Sequence, residues 1–282
     1  MSFFIPDCEI DRIIEEDVNP VDLTSFILGM DKYNAQITYQ SRSDLVVCCT
    51  EEVERIFNKL GIAVSGYSES GTEVKENEIF FSAEGRADRI HMAWRNGVRM
   101  FESFSGISTR TRSFTDKARK VNPAVNIVTT RKCPPGTKKL ITKAVMSGGA
   151  FPHRLGLSES VLFFDPHVDL FGGREKIIEN IAKIRNDTKE KKLGIEAHDT
   201  DSALKFAEAG FDCIQLDKFT AEEIETVCRT AKRINPNVTL CAAGNITMEN
   251  VEEIAATGVD VIVTSSLYFG PPADIKAVIR RV

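Results

Sequence analysis

The chain has 282 residues, of which 42% are hydrophobic and 27% charged, and its formal net charge is −5. This size and composition predict a globular protein of one or two domains, and the acidic balance excludes a general nucleic-acid binder. No apolar run reaches the roughly eighteen residues of a membrane-spanning helix, and the N-terminal stretch lacks the basic and apolar regions of a secretory signal. We therefore expect a cytoplasmic protein that binds neither membrane nor nucleic acid.

The first hundred or so residues read as a mixture of strands and helices. In chain order they contain one long or bent strand (AQITYQSRSDLVVCC, 35–49), a helix ending at Gly61 (EEVERIFNKLG), a hairpin-like stretch (GTEVKENEIFFSAEG, 71–85) and a long helix (ADRIHMAWRNGVRMFESFSGIST, 87–109). These elements alternate without a repeated unit. They predict an α+β N-terminal domain over residues 1–107.

From about residue 125 the pattern changes to β-branched runs that alternate with amphipathic helices. The six runs are AVNIVTT, SVLFFD, KLGIEA, FDCIQLD, NVTLCAAG and VDVIVTSS. Between them, residues 173–192 predict one helix, and TAEEIETVCRTAKRI predicts another that opens with a capping box from Thr220 to Glu223. Successive βα units predict a parallel sheet closed, or nearly closed, into an α/β barrel over residues 108–271.

Polar residues recur where the predicted strands end, which is the functional face of βα barrels. They fall into a cationic zone, an acidic zone and a final zone of small residues, in the order Arg131, Lys132, Asp165, His167, Glu196, His198, Asp217, Lys218, Gly244, Asn245, Ser265 and Ser266. The small residues ending the last two strands suit backbone binding of a phosphate.

Two acidic residues of this ring, Glu196 and Asp217, have the chemistry to hold Mg²⁺ together with waters and substrate oxygens. Structural ion pairs with Lys132 or Lys218 explain the same residues equally well. We leave both interpretations open at this point.

Clustered cations around the first predicted strands indicate a small anionic ligand, because the protein as a whole is acidic. They are Arg131, Lys132, Lys138, Lys139, Lys143, His153 and Arg154. No Ser-His-Asp or Cys-His arrangement stands out, so the site is expected to stabilise charge without a covalent nucleophile.

The seven cysteines form no C-x-x-C pair. An odd number without that spacing is typical of reduced thiols and argues against a disulfide framework or a zinc site. Cys213 and Cys241 lie inside apolar strand-like runs, which predicts that they are small buried hydrophobes.

Several long motifs in one register resemble the quinolinate phosphoribosyltransferase family, and most closely its ModD branch, which is associated with molybdenum transport. The motifs are DLT (22–24), SGIST (105–109), TTRKCPPGTKKLITKAV, GGAFPHRLGLSE, IEAHD, IQLDKF, AAGNI and VTSSLYFGPPADIK. They run nearly from one end of the chain to the other.

This resemblance implies an α+β N-terminal domain and a TIM-like barrel of type II phosphoribosyltransferases, with a C-terminal helix at about 272–282 that returns to the N-terminal domain. It also implies a homodimer, or a higher oligomer, whose active site takes residues from both chains. The implied reaction joins the ring nitrogen of a small aromatic acid to C1 of phosphoribosyl pyrophosphate and releases pyrophosphate, with Mg²⁺ as the cofactor.

The resemblance also implies roles for individual residues. The acid's carboxylates are expected to contact Arg131, Lys132, His153 and Arg154, with further substrate contacts from His167 and Lys218 and from Arg95 across the dimer. Catalytic roles are implied for Glu196, Asp217, Lys132 and Lys143, with Mg²⁺ on Glu196 and Asp217. The 5′-phosphate is expected at Gly244, Asn245, Ser265 and Ser266.

The chain departs from the family pattern at the second barrel strand, where LFFDPH stands in place of LIKDNH. Phe164 replaces a substrate-facing lysine, and a buried carboxylate left without that partner would bind more weakly. We therefore expect an acceptor other than quinolinate.

Three alternatives remain at this point. The first is a genuine quinolinate enzyme of NAD biosynthesis in which another cation, such as Lys218, replaces the lost lysine. The second is a Schiff-base lyase using Lys132 or Lys218. The third is a non-enzymatic oxyanion-binding protein of molybdenum uptake.

Overall fold

The structure is a computed structural model that describes residues 3–282. In chain order its α-helices are α1 (Asp7–Glu15), α2 (Leu23–Leu28), α3 (Thr50–Lys59), α4 (Ala87–Val121), α5 (Lys138–Ser147), α6 (Asp165–Phe171), α7 (Arg174–Glu179), α8 (Ile181–Asp187), α9 (Thr200–Glu208), α10 (Ala221–Ile234) and α11 (Val251–Ala256). Its strands are β1 (Asn34–Ser41), β2 (Leu45–Val46), β3 (Ala63–Tyr67), β4 (Glu73–Val74), β5 (Ile79–Arg86), β6 (Asn126–Thr129), β7 (Phe151–Pro152), β8 (Val161–Phe163), β9 (Leu193–Ala197), β10 (Cys213–Asp217), β11 (Thr239–Ala243), β12 (Val261–Thr264) and β13 (Ile275–Arg281).

The described residues form two compact units. The first comprises the chain up to Ser113 together with Cys133–Gly149 and Leu267–Val282, and the second comprises Phe114–Lys132 and Ala150–Ser266. The division therefore falls within α4, a few residues beyond the predicted boundary at 107. It also assigns the segment around α5, which lies within the predicted barrel range, to the first unit.

The first unit is built on a four-stranded antiparallel sheet in the order β13-β1-β5-β3. Its core is aromatic: the Tyr39 ring centroid lies 5.0 Å from that of Phe101, and Phe57 lies 5.3 Å from Phe81. Edge-to-face contacts of this kind add to the free energy gained by burying the rings. The predicted α+β class of this region is confirmed.

Three predictions in this unit were wrong. The long or bent strand expected over 35–49 is divided into β1 and β2, which belong to different sheets. The expected C-terminal helix is the strand β13, which pairs antiparallel with β1 from Ile275 opposite Ser41 to Arg281 opposite Ala35. The β-branched residues of IKAVIRR favour a strand once a sheet edge is available. The stretch 71–85, which was predicted to be hairpin-like, instead contains strands of two different sheets. Strand β4 pairs with β2, whereas β5 pairs with β1 and β3.

The second unit contains a seven-stranded sheet in the order β7-β6-β12-β11-β10-β9-β8. All the pairings are parallel. Short strands, β7 and β8, end the sheet on its two sides, so the barrel is open. The predicted α/β class is confirmed, and all six predicted runs contain strands.

Two helices of the second unit, α9 and α10, begin at a residue whose side chain caps the helix. The predicted capping box of α10 is present, with Thr220 N donating to Glu223 Oε2 at 2.8 Å and Glu223 N donating to Thr220 Oγ1 at 3.3 Å. The single helix expected over 173–192 is instead split into α7 and α8 at Asn180. There the Asn180 amide donates to the Lys176 carbonyl at 2.8 Å, a local bond that competes with continued helix.

Among residues 3–282, no helix combines the length and apolar content needed to cross a membrane.

Candidate active site

Neighbouring strand ends of the second unit bring three acidic residues and a histidine together. His198 Nε2 lies 2.9 Å from Asp165 Oδ2 and 3.9 Å from Glu196 Oε2, and His198 Nδ1 lies 3.9 Å from Asp217 Oδ2. Parallel pairing of β9 with β10, with Glu196 opposite Gln215, explains why the strand ends meet. We call Asp165, Glu196, His198 and Asp217 the carboxylate cluster.

Electrostatics within the carboxylate cluster favour a bound cation. Burial raises the pKa of Glu196, and the nearby Asp217 raises it further, while a hydrogen bond from Gln215 Nε2 at 2.7 Å opposes both effects. A carboxyl that is hard to ionise beside another carboxylate is stabilised when a positive charge is added. Ligand atoms of Asp165, Glu196 and His198 lie within 4.8 Å of one another. Of the two predicted metal ligands, Glu196 belongs to this group, and Asp217 lies next to it, 3.9 Å from His198 Nδ1.

Two members of the cluster were not assigned a role from the sequence. Asp165 and His198 were recognised as residues at strand ends, but each is also an ordinary loop residue in isolation. Only the fold shows that the imidazole of His198 contacts three carboxylates. The available signal was their recurrence at successive strand ends.

Lys218 follows Asp217 in an unusual backbone conformation. Its φ is 62°, its N–H donates to the Ala243 carbonyl at 2.8 Å, and its ammonium lies 3.8 Å from Asp217 Oδ2. Gly244 has a φ of 89°, and a Cβ there would lie 2.6 Å from Lys218 Cγ and 3.0 Å from Asp217 Oδ1. Only glycine fits this close approach of two strand ends.

A cavity of about 130 Å³ opens beside this turn, and its lining includes the predicted phosphate residues Gly244 and Asn245 together with Lys218 and Asn250. Asn245 also has a left-handed backbone, with a φ of 53°. Exposed backbone groups and an ammonium in one concave site suit an anion.

The two serines predicted to bind phosphate follow the neighbouring strand β12. Ser266 Oγ lies 2.9 Å from Thr264 Oγ1, and Ser266 N donates to the same oxygen at 3.0 Å. Thr264 Oγ1 in turn lies 2.8 Å from the carbonyl of Ile246. Ser265 is half-buried. These contacts fix the end of β12 beside the end of β11.

The cationic zone forms where β6 pairs with β7. His153 N donates to the Thr129 carbonyl at 2.9 Å, which places His153 and Arg154 beside the loop that carries Arg131 and Lys132. Burial lowers the pKa of Arg154, and the charge of Arg131 lowers it further. Since arginine stays protonated in proteins, two like charges held together indicate an anion-binding role.

Phe164, where the resemblance leads us to expect a lysine, lies beside Arg154. The Arg154 guanidinium carbon lies 5.8 Å from the centroid of the Phe164 ring. The backbone N–H of Phe164 donates to His167 Nδ1 at 3.1 Å, so the predicted substrate contact of His167 is left to its other nitrogen. The site therefore presents an aromatic face where a second ammonium was expected.

Two predicted site residues lie in the first unit. The Lys143 ammonium, on α5, is 2.7 Å from Glu51 Oε2 and also contacts Glu52, and the residue is only 2% exposed. The structure gives Lys143 an ion-pairing role within this unit, and the catalytic role implied by the resemblance stays a prediction. Arg95, on α4, is exposed, and its guanidinium carbon lies 4.8 Å from the Trp94 ring centroid.

Comparison with known proteins identifies the family. Residues 22–105 match the family model of the quinolinate phosphoribosyl transferase N-terminal domain, and residues 107–277 match that of its C-terminal domain. A pyrophosphorylase ModD relative from Pasteurella multocida is 32% identical over 99% of this chain and 99% of its own length. Another ModD relative, from Rhodobacter capsulatus, is 35% identical over 91% of this chain and 98% of its own length.

A relative named nicotinate-nucleotide pyrophosphorylase (carboxylating), from Methanothermobacter thermautotrophicus, is 31% identical over 96% of this chain and 98% of its own length. The solved structure of the nicotinate-nucleotide pyrophosphorylase from Francisella tularensis superposes with a TM-score of 0.89 at 24% identity, covering 99% of this chain and 100% of that one, which shows the same fold. The chain therefore belongs to the quinolinate phosphoribosyltransferase family.

Proposed function

We propose that the protein transfers phosphoribosyl from phosphoribosyl pyrophosphate to the ring nitrogen of a heterocyclic carboxylic acid other than quinolinate. The observation that carries this proposal is the division of one sheet edge into two zones. Cations follow β6 and β7, and the carboxylate cluster lies at the ends of β8, β9 and β10. A carboxylate acceptor fits the first zone, and a magnesium-bound phosphoribosyl donor fits the second.

The reaction needs positioning and charge stabilisation more than proton transfer. A bond forms between the acceptor nitrogen and C1 of the ribose while the C1–O bond to pyrophosphate breaks, and the bonding electron pair leaves with pyrophosphate. Arg131, Lys132 and Arg154 would hold the acceptor's carboxylate and so orient its nitrogen toward C1. The backbone around Gly244 and Asn245, with Ser265 and Ser266, would bind the 5′-phosphate.

The carboxylate cluster fits Mg²⁺ because it offers oxygen ligands and holds repelling charges. Glu196 and Asp217 would hold the ion, partly through water. Bound there, Mg²⁺ would supply the positive charge that stabilises the departing pyrophosphate.

A screen of heterocyclic carboxylates tests the proposal. With phosphoribosyl pyrophosphate and Mg²⁺, pyrophosphate release is expected with one monocarboxylate, or one differently shaped acid, and much less with quinolinate. The nucleotide product is identified by mass spectrometry. If calorimetry at millimolar Mg²⁺ detects binding of neither phosphoribosyl pyrophosphate nor any nucleotide product, the proposal is wrong.

A genuine quinolinate enzyme is the second candidate, and the position of Lys218 favours it. This exposed ammonium lies beside Asp217, from where it would supply the cation that Phe164 lacks. Steady-state kinetics with quinolinate decide between the two, because efficient turnover of quinolinate overturns our preferred acceptor class.

We also propose that the protein is a homodimer. Helix α2 exposes a group of large apolar side chains, each at least 65% exposed, namely Leu23, Phe26, Ile27 and Leu28. Apolar surface of this kind is unusual on a monomer and is typical of an interface between subunits. Light scattering after gel filtration is expected to give twice the 31.3 kDa mass of the chain, and a monomer would contradict the proposal.

The seven free cysteines fit the reducing cytoplasm, which we propose as the location of the protein.

The proposed role of Arg95 across the dimer has a separate test. Arg95→Ala and Glu196→Gln are each expected to be inactive as homodimers. If Arg95 serves the partner's site, hybrid dimers contain one intact site, so mixing the variants restores roughly a quarter of the activity. No recovery in verified hybrids would mean that Arg95 acts within its own chain.

A further inference from the structure

Two thiols and an imidazole meet inside the open barrel, below the strand ends that form the candidate site. Cys213 lies on β10 and Cys241 on β11, and their sulfur atoms are 3.2 Å apart without a disulfide. Gln215 is the register partner of Cys241. Cys213 precedes Gln215 by two residues on β10, so its side chain lies on the same face of the sheet as that of Cys241. His153 follows β7, and one ligand atom from each of the three residues lies within 4.8 Å of the others. We call them the thiol–imidazole cluster.

The surroundings of this cluster are apolar. Cys241 packs in a layer with Ala243 and Val263, and the partly buried Cys213 lies against it with Val128 and Val261. Cys241 is 1% exposed, whereas Cys213 and His153 are only half-buried. Such a layer disfavours net charge, and the half-buried Cys213 and His153 leave the cluster partly accessible to solvent.

We propose that the thiol–imidazole cluster binds a thiolate-preferring divalent cation of the zinc class. Cys213 and Cys241 would bind through sulfur and His153 through one ring nitrogen, with water as the fourth ligand. This is the donor set of a three-ligand zinc site. Two thiolates cancel the charge of the cation, so the loaded site is neutral, as the apolar layer requires.

The geometry needs only a small adjustment. Bonds of about 2.3 Å from zinc to sulfur in a tetrahedral site place two sulfurs about 3.8 Å apart. The sulfurs of this protein are 3.2 Å apart, so each moves by a few tenths of an ångström, within the reach of χ1 rotation.

This site and the carboxylate cluster select different cations. Carboxylate oxygens prefer hard Mg²⁺, whereas thiolates and imidazole prefer softer ions. A histidine bound through one nitrogen retains the other for a hydrogen bond, so metal binding at His153 is compatible with the acceptor contact that the family resemblance implies for it. The proposal does not depend on that contact.

Cobalt(II) titration of the full-length protein without oxygen tests the proposal, since Co²⁺ bound to thiolates gives a charge-transfer absorption in the near ultraviolet. One equivalent of Co²⁺ is expected, displaced by one equivalent of Zn²⁺ and not by millimolar Mg²⁺. Cys213→Ser, Cys241→Ser and His153→Gln should each weaken binding by more than the roughly 10–100-fold that loss of an outer-shell partner costs. Cys228→Ser is the matched control, because Cys228 is buried on α10 outside the cluster.

A second measurement avoids any variant that fails to fold. In the unsubstituted protein, Zn²⁺ should protect Cys213 and Cys241 from alkylation while Cys8, which is exposed, still reacts. The proposal is overturned if both cysteine variants keep the absorption. It is also overturned if Zn²⁺ protects neither thiol, or if the two cysteines are isolated as a disulfide that takes up no metal.

Discussion

At the scale of single residues, Phe164 has the clearest proposed consequence for specificity, because it places a ring where the family pattern described above leads us to expect a lysine. The Arg154 guanidinium lies over this ring and remains available to one carboxylate. A second carboxylate on the same acceptor would meet an apolar face. We therefore expect the ring of Phe164, next to the guanidinium of Arg154, to disfavour an acceptor that carries a second carboxylate.

Phe164→Lys should convert the site toward quinolinate. A hydrogen bond to a charged group contributes about 1.5–3 kcal/mol, so kcat/KM for quinolinate should rise by roughly 10–100-fold. Steady-state pyrophosphate release measures the change. Phe164→Met, which removes the ring without adding charge, should give no such gain. An equal gain in both variants would show that the space in the site, and not its charge, limits kcat/KM for quinolinate.

Glu196→Gln should stabilise the metal-free protein and weaken its response to Mg²⁺. Burial and Asp217 raise the pKa of Glu196 in the folded protein. When the pH rises above the pKa of this carboxyl in the unfolded chain, its ionisation therefore costs more in the folded state and lowers the free energy of unfolding. The neutral amide removes that cost. Thermal unfolding at pH 7 should show a higher Tm without metal and a smaller increase on adding Mg²⁺ than in the unsubstituted protein. Glu179→Gln, an exposed change on α7, should alter neither quantity.

Gly244→Ala should weaken donor binding through the turn beside Lys218. The added Cβ would lie 2.6 Å from Lys218 Cγ, and the residue has a φ of 89°. Gly210→Ala is a matched control, because its φ is 85° and a Cβ there meets nothing within 4 Å. Both variants should lose about 1–3 kcal/mol of stability from backbone strain, but only Gly244→Ala should raise KM for phosphoribosyl pyrophosphate. A similar KM in both would contradict the proposed phosphate site.

At the scale of elements, α5 is anchored to α3 by a buried ion pair. Lys143 contacts Glu51 and Glu52, and removing one partner of a buried pair leaves uncompensated charge. The motif that contains Lys143 suggested catalysis, and nothing near it in sequence indicates carboxylates from α3.

Lys143→Met should destabilise the protein by about 3–5 kcal/mol. Burial raises the pKa of Glu51, but hydrogen bonds from Lys143 and Ser70 lower it to about 2. A depressed carboxyl pKa contributes stability above the unfolded value of 4.5, and that contribution is lost as pH falls from 4.5 toward 2. Urea unfolding at pH 7 and pH 3 should therefore show a larger deficit at pH 7. Lys143→Met combined with Glu52→Gln should recover part of it, and no recovery would contradict the ion-pair explanation.

Sequence reasoning succeeded for elements whose signals are local. The capping box at Thr220 and the polar residues at strand ends depend on spacing along a few residues.

Features that depend on other contacts were not predicted. The break at Asn180 depends on a side-chain hydrogen bond that competes with the helix. The thiol–imidazole cluster depends on strand register, because apolar runs alone cannot show that Cys213 lies against Cys241.

At the scale of the whole molecule, pairings between distant parts of the chain were the least predictable. The segment around α5 belongs to the first unit although it interrupts the βα pattern of the second. Strand β13 was misread because isolated IKAVIRR carries no information about the β1 edge that it completes. The family resemblance supplied the barrel and the reaction, but it also suggested a helix in place of this strand.

The pairing of β13 with β1 also bears on how the protein is made. When β1 leaves the ribosome, its neighbour β5 follows soon after, but β13 is synthesised only after every strand of the parallel sheet. One edge of β1 therefore remains unpaired throughout translation of the barrel, and an unpaired edge is a template for association with other chains. The sheet of the first unit can therefore be completed only after synthesis of the second unit has ended.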